Sequence, residues 1–464
     1  MKPDPWTASI PQLLSSMRAE PLLTRDYDSS PSLVHERLRD TYGPVAPVDL
    51  LGVPVWLVLG YSEVREILGD QGGIWSKRLA NWRDRAEGRI PPEWPLSPAF
   101  EVNSSAFQDG APLRRVRDAW TSALAPFQDH THVQSQALER AAKKYADDLI
   151  TVLSEGSGTV GWADLSAQFA RPLPLMVINR LLGFESAQGD DVFMDIWRML
   201  DAGPDAAEAT HRLLSSVVDL AVTKMRNPGQ DFPSYMLAAN PDFTVDEMAR
   251  ELIMLPVLTG DVTASLICNT IVEILVNPHV RASLNDGIIE ETINRVALVN
   301  PPMANLTFRF PTVDVKMGRF VIAAGDPVMV SVAGAHADPA FGAAIDPHAI
   351  RSTRAHLAWG VGPHRCQGQR LATRITAIAV SRLFERFSRI RLALPADQLP
   401  WRPSPFLRAL RSLPVQFELS QAHTPSGNAG SRPISQGRSQ APAPQHQEPP
   451  RSALWRFLQG LRRQ

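Results

Sequence analysis

One decapeptide limits what this chain can be: Trp359-Gly360-Val361-Gly362-Pro363-His364-Arg365-Cys366-Gln367-Gly368, followed by a helical run from Gln369 to about Phe387. Gly360, Gly362 and Pro363 exclude regular structure, so the chain turns tightly just before Cys366 and leaves backbone N–H groups pointing toward the sulfur. Those donors hold negative charge. The helix starting after Cys366 adds the positive end of its dipole, and His364 and Arg365 add basic groups, which together lower a cysteine pKa. Gly368 leaves room for a flat ligand beside the sulfur. A buried structural cysteine at a helix start is the plainer alternative, but the coincidence of a glycine-rich loop, His364 and Cys366 favours a presented thiolate.

The composition bounds the rest. At 464 residues with 44% hydrophobic content the chain can bury one large core, and one large domain fits better than the two or three that length alone would allow. A net charge of -1 and the lack of a basic stripe with interleaved aromatics argue against nucleic acid. Cys268 and Cys366 are too few for a disulfide framework, and Cys268 sits in an apolar helical run where a small buried hydrophobe fits. The compartment is expected to be reducing. Met1-Lys2-Pro3-Asp4-Pro5-Trp6 opens no apolar run of signal or anchor length, which points to the cytoplasm.

The decapeptide resembles the haem-thiolate loop of the cytochrome P450 family, which runs aromatic-Gly-x-Gly-x-His-x-Cys-x-Gly, with Trp359 where Phe is usual. The resemblance covers residues from about 30 to 420 and implies a mainly α fold with a small β region. It makes Cys366 the axial ligand to the iron of haem b, with His364 bonded to a haem propionate and Trp359, Gly362 and Gly368 lining the cofactor. Asp109-Gly110-Ala111-Pro112-Leu113-Arg114-Arg115-Val116-Arg117 matches a second family pattern, Asp-Gly-x-x-His-x-Arg-x-Arg, in Arg117 but not in Leu113. The resemblance gives Arg117 a propionate contact, an arginine fork suiting a carboxylate, and leaves Leu113 none. Arg309, in a strand starting at Asn305, is implied as the second propionate arginine; a solvent-facing strand-edge arginine is the alternative.

Thr244-Val245-Asp246-Glu247 is a capping box, and an apolar helix follows to about Val276, where Asn277-Pro278 stops it. Pro256 and Gly260 predict a bend or opening around Leu255 to Thr263. The family reads Ala-Gly-x-acid-Thr-Thr there, and this chain reads Thr259-Gly260-Asp261-Val262-Thr263-Ala264. Gly260 and Thr263 match. Val262 fills the acid's place, and Asp261 lies one residue earlier, about 100° around the helix. The resemblance directs Thr263 at dioxygen and leaves proton delivery to Asp261, water or substrate; a threonine bonding its own i-4 carbonyl is the bland alternative. The family's Glu-x-x-Arg becomes Glu291 and Asn294, with Arg295 one position late, and Asp346-Pro347-His348-Ala349-Ile350 puts Ala349 where its partner arginine is expected. Glu291 is then expected to pair with Arg295, four residues on.

Elsewhere Val45 to Leu50 and Val53 to Leu59 flank Leu51-Gly52 as a hairpin, and Tyr61 to about Leu68 reads as a short helix. A loop to about Gln108 carries Trp75, Trp82, Trp94 and Phe100, as pocket wall or as packing. Residues from about 138 to 227 read as helical body. From about Ser420 the sequence turns to Gln, Ser, Pro and Gly and is expected to be disordered, before a short basic amphipathic segment over 452–464 that suits a membrane surface or a partner's groove. The domains are therefore 1–420 and 421–464. The resemblance implies monooxygenation of a small, mostly apolar molecule with O2 and electrons from a separate ferredoxin-type donor and its reductase. Two alternatives stay open: a haem-binding partner or scaffold with weak or lost turnover, and peroxide-driven or non-oxygenating haem chemistry.

Overall fold

The structure, a computed structural model, describes residues 14–419 apart from 71, 101–102, 156–158, 185, 202–203 and 344–352. Its axis is the helix Val245–Val276, 32 residues long. The capping box forms as expected: Thr244 Oγ1 accepts from Glu247 N at 3.1 Å and the Glu247 carboxylate accepts from Thr244 N at 3.0 Å. Pro256 does not break it. Helical assignment is continuous through residues 255–263, because the helices Pro172–Leu182, Ala206–Arg226, Asp286–Val299 and Gln369–Arg386 pack around it and tertiary contacts override the local cost of proline. Among the described residues this is the one helix long and apolar enough to cross a membrane, and it is largely buried inside the protein.

Eleven strands are described: β1 Glu20–Pro21, β2 Val45–Leu50, β3 Val53–Val58, β4 Trp75–Ser76, β5 Val160–Asp164, β6 Asn305–Pro311, β7 Val315–Met317, β8 Phe320–Ile322, β9 Val328–Ser331, β10 Phe387–Leu392 and β11 Pro414–Leu419. The largest sheet runs β1-β2-β3-β9-β6-β4, beside a three-stranded β10-β11-β5 sheet and a β7-β8 hairpin. The β2–β3 hairpin closes on Leu51 and Gly52, both at positive φ (56° and 93°), the turn whose twist matches a two-residue hairpin. Two strands depart from expectation. β5 lies within the stretch expected to be helical throughout, and β9 sits between β3 and β6 in the middle of the large sheet.

The tryptophan loop is core. Trp82, Trp94 and Phe100 pack with Phe308 and Phe310 of β6 in one buried cluster, and Trp75 of β4 is buried in another with Trp56 and Val328. These four side chains anchor the loop to the sheet.

Candidate active site: a cysteine loop beside a buried cation pocket

Gly360 and Gly362 adopt φ of 69° and 72°, a region closed to most side chains. At Gly362 a Cβ would stand 2.4 Å from Leu68 O, so this glycine lets the loop press against the end of the helix Tyr61–Gly69. The Cys366 N–H donates to the Trp359 carbonyl at 2.7 Å, and the N–H groups of Gly368 and Gln369, at the start of the helix Gln369–Arg386, lie where they favour a charged sulfur. The expected donors are thus in place, but the expected fall in pKa is not. Burial pushes the Cys366 thiol up, and the Gly368 N–H, Arg117, the Gln369 N–H and Arg365 only partly offset it. The residue nevertheless keeps solvent-accessible surface.

The helix Gly110–Gln128 clamps this loop from below. Arg117 Nη2 donates to Arg365 O, Gln367 Nε2 donates to Arg117 O at 2.7 Å, and Gln128 Nε2 donates to Gln367 O at 2.8 Å. Arg117 therefore sits beside the sulfur and anchors its loop. Leu113, as expected for a side chain without polar work, is buried.

His364 and Arg309 do come together, around Asp109. His364 Nε2 lies 3.8 Å from Asp109 Oδ1, too far for a hydrogen bond, and it has no other partner among the described residues. Burial takes the His364 ring down to about 4, the nearby Asp109 opposing this while Arg309 and Lys77 reinforce it. His364 is thus a neutral N–H donor at pH 7, not the basic group expected from sequence. Arg309, in an inner strand and 4% exposed, is brought by burial to about 10 and remains charged. Burial raises the Asp109 carboxyl, yet His364, Ser76 and the Lys77 N–H outweigh it and hold it at about 2. Lys77, which no sequence pattern singled out, points its ammonium into the same group.

On the long helix, Thr259, Ser265 and Thr270 each donate to the carbonyl four residues back. Thr263 makes no such bond among the described residues although it is buried, so its hydroxyl is not consumed by its own helix. Asp261 is consumed: it accepts from Arg402 Nη2 at 2.8 Å and lies 3.4 Å from Arg171 Nε. Two residues on a helix are roughly 200° apart, so Asp261 faces away from Thr263 and is poorly placed to deliver protons there. Gly260, which precedes both, is buried. Just before it, Val257 and Leu258 stay 37% and 47% exposed, an apolar opening in an otherwise buried helix.

The corner behind the loop is rebuilt, but not as the sequence suggested. Glu291 pairs with Arg354 at 2.6 Å and Arg295 with Glu273 at 2.7 Å, so the expected Glu291–Arg295 pair does not form; the more distant partners lie on neighbouring segments of chain. Asn294 Nδ2 donates to Thr353 O at 3.0 Å, and its Oδ1 lies 3.0 Å from His356 Nε2. His336 accepts from Leu357 N at 2.7 Å. Ala349 lies outside the described residues.

These residues fit a planar, dianionic iron macrocycle. Lys77 and Arg309 are buried cations near a single carboxylate, His364 Nε2 lacks a partner, and a Cβ on Gly368 would meet nothing within 4 Å. Among the described residues no group of three His, Cys, Asp or Glu side chains could hold a bare metal, so Cys366 would be the lone protein ligand to an iron carried by an organic ring.

No family profile matches the chain. Cytochrome P450 107B1 of Saccharopolyspora erythraea is 32% identical to it over 387 residues, 79% of this chain and 90% of that one. The 2-hydroxy-5-methyl-1-naphthoate 7-hydroxylase of Streptomyces carzinostaticus is 29% identical over 399 residues, 82% and 94% of the two chains. Among solved structures, CYP154C4 from a Streptomyces species superposes with a TM-score of 0.73 at 27% identity, covering 86% of this chain and 98% of the other. A cysteine presented at a helix start, two buried cations beside a single carboxylate and relatives matched over nearly their whole length lead to one assignment: the chain belongs to the cytochrome P450 family and is a haem b-dependent monooxygenase.

Proposed function

We propose that this enzyme inserts an oxygen atom from O2 into a small, mostly apolar organic molecule, using electrons from a separate ferredoxin-type donor and its reductase. The observation that carries the reading is the Cys366 loop itself, turned by Gly360 and Gly362, closed by the Cys366 N–H to Trp359 O bond and set at the start of the helix Gln369–Arg386. Bound haem supplies the dioxygen chemistry, with the thiolate pushing electron density to the iron in favour of O–O cleavage. The chain's own residues do the rest. Cys366 would ligate the iron as the thiolate that burial alone disfavours and a bound cation would favour, His364 and Arg309 would hold the propionates, and Arg117 fixes the loop. Thr263 offers its hydroxyl to oxygen. With Val262 unable to carry protons and Asp261 held by two arginines, the proton reaches Thr263 Oγ1 from water or substrate. Val257 and Leu258 favour an apolar substrate, as does the relative named for a naphthoate. The test is the reduced, carbon-monoxide-bound absorbance spectrum, which must show the thiolate band, followed by spin-shift screening of apolar organic molecules.

A second reading draws on Val262 and the Asp261–Arg402 pair: peroxide-driven or non-oxygenating haem chemistry, or a haem scaffold with little turnover, needs no dioxygen proton relay. Turnover supported by peroxide but not by O2 and electrons would select peroxide chemistry; none with either would select the scaffold. In our reading residues 1–420 are the cytoplasmic haem domain. Residues 452–464, outside the described part, dock on an anionic membrane surface or a partner's groove, leaving the enzyme peripheral to the membrane.

A further inference from the structure

Lys77 follows β4 and is 5% exposed. β4 pairs antiparallel with β6, Trp75 opposite Pro311 and Ser76 opposite Phe310, so the next step of that register sets Lys77 opposite Arg309. Like charges facing one another across strands repel, and here both are buried, where the repulsion is poorly screened. Neither makes an ion pair among the described residues. Asp109 is the nearby carboxylate, but it is occupied by Ser76 Oγ and by the Lys77 backbone N–H, not its ammonium. The Lys77 Nζ donates instead to Thr307, at 2.6 Å to the hydroxyl and 3.3 Å to the carbonyl. Those neutral oxygens satisfy hydrogen bonds, and the Phe107 ring 5.2 Å from Nζ adds a weak attraction, but no carboxylate pairs with the ammonium among the described residues. Burial first, then Arg309, drive the Lys77 amine well below its ordinary value, as expected for a cation short of a counter-ion. The ladder of β6 to β9 is irregular between Leu306 and Arg309, but the β4 register opposite Arg309 and the Nζ contact with Thr307 still set the Lys77 ammonium beside the stretch of β6 that carries Arg309.

We propose that the Lys77 ammonium, together with Arg309, holds a haem propionate, and that it supplies the donor this chain lacks at Leu113. The proposal rests on the haem-thiolate reading, which the carbon-monoxide spectrum of the unaltered protein tests separately. If that spectrum lacks the thiolate band, both fall; if it shows the band, the following measurements decide Lys77 alone.

Three holoproteins are compared with the parent: Lys77→Met, Lys77→Arg and Thr307→Val. The readouts are the rate of haem transfer to excess apomyoglobin and the propionate-bending band in the resonance Raman spectrum. One lost charge-assisted hydrogen bond predicts that Lys77→Met releases haem about ten- to a hundredfold faster with a shifted band. Lys77→Arg is expected to keep haem nearly as well as the parent while still shifting the band, because a guanidinium meets a carboxylate differently from an ammonium. Thr307→Val should change the release rate little. An unmoved band and parental release in Lys77→Met overturn the proposal, as does a Thr307→Val protein that reproduces the Lys77→Met behaviour, since Lys77 would then only tie two strands. Should Lys77→Met fail to accumulate, the Lys77→Arg band decides: unmoved, it overturns the assignment.

Discussion

The Cys366 loop and the corner behind it, where the helix Asp286–Val299 meets residues 353–357, are neighbours built on opposite terms. In the loop three residue types are forced: Gly360 and Gly362 by positive φ, Gly362 again by Leu68 O, and Cys366 by the chemistry of its sulfur. In the corner Glu291 is kept but turns to Arg354, the family's helix arginine is Asn294, and Asn294, His356 and His336 join the same segments through neutral hydrogen bonds. A position that must present one atom to a cofactor has one solution. A position that must only leave no buried polar group unpaired has several, and replacing all partners together can cost little where losing one is expensive.

The largest test of this contrast is Cys366→Ser, which should abolish the thiolate band in the reduced carbon-monoxide spectrum, a hydroxyl being a far poorer donor to iron. A full band in that variant would sink the loop assignment. Next come two residues two positions apart on the long helix. Thr263→Ala should lower product formed per electron consumed by roughly tenfold or more, the scale of a lost proton-transfer step, with substrate affinity largely kept. Asp261→Asn should leave that ratio alone and instead lower thermal stability by about 3 kcal/mol, because Arg402 and Arg171 lose their buried counter-charge. A reversed pattern would return proton delivery to Asp261.

The corner should yield more modestly. Asn294→Ala leaves Thr353 O and His356 Nε2 without partners and should cost about 1 to 3 kcal/mol in denaturant unfolding. Asn294→Arg, which restores the family's residue, should do no better, since Glu291 is already paired with Arg354. If Asn294→Arg proves more stable than the parent, the neutral network is a defect and not a substitute.

Smaller still is a pH effect peculiar to the corner. Burial holds both His336 and His356 at about 4, below the ordinary value of about 6.5, so between these values the unfolded chain binds more protons than the folded one. Their contribution to stability is therefore complete above about pH 6.5 and declines as the pH falls toward 4. His356→Gln, which retains a donor for Asn294, should narrow the gap between melting temperatures at pH 7 and pH 5; an unchanged gap would remove His356 from the acid response. The least effect is expected from deleting residues 421–464: haem spectrum and melting temperature stay as they were, while sedimentation with anionic vesicles or capture of a partner weakens. Loss of haem on truncation would move the domain boundary.

The sequence by itself determined whatever a few consecutive residues can enforce. The Leu51-Gly52 turn, the Thr244–Glu247 capping box, the helix after Cys366 and the loop that aims N–H groups at the sulfur are all local, because dihedral preferences and short-range hydrogen bonds act within a few residues. The family pattern added Arg309, His364 and Thr263 as site residues. Only the tertiary structure decided what depends on distant partners. β9 becomes an inner strand through parallel pairing with β3, some 270 positions away in register, and four apolar residues carry no mark of that. Lys77 reads as any surface lysine until β4 lies against β6. Asp261 looked available until Arg402 reached it, and the Cys366 donors looked sufficient until burial outweighed them. Desolvation and charge compensation are properties of the assembled interior, set by which atoms displace water from a group, and the order of residues along a chain does not contain them locally.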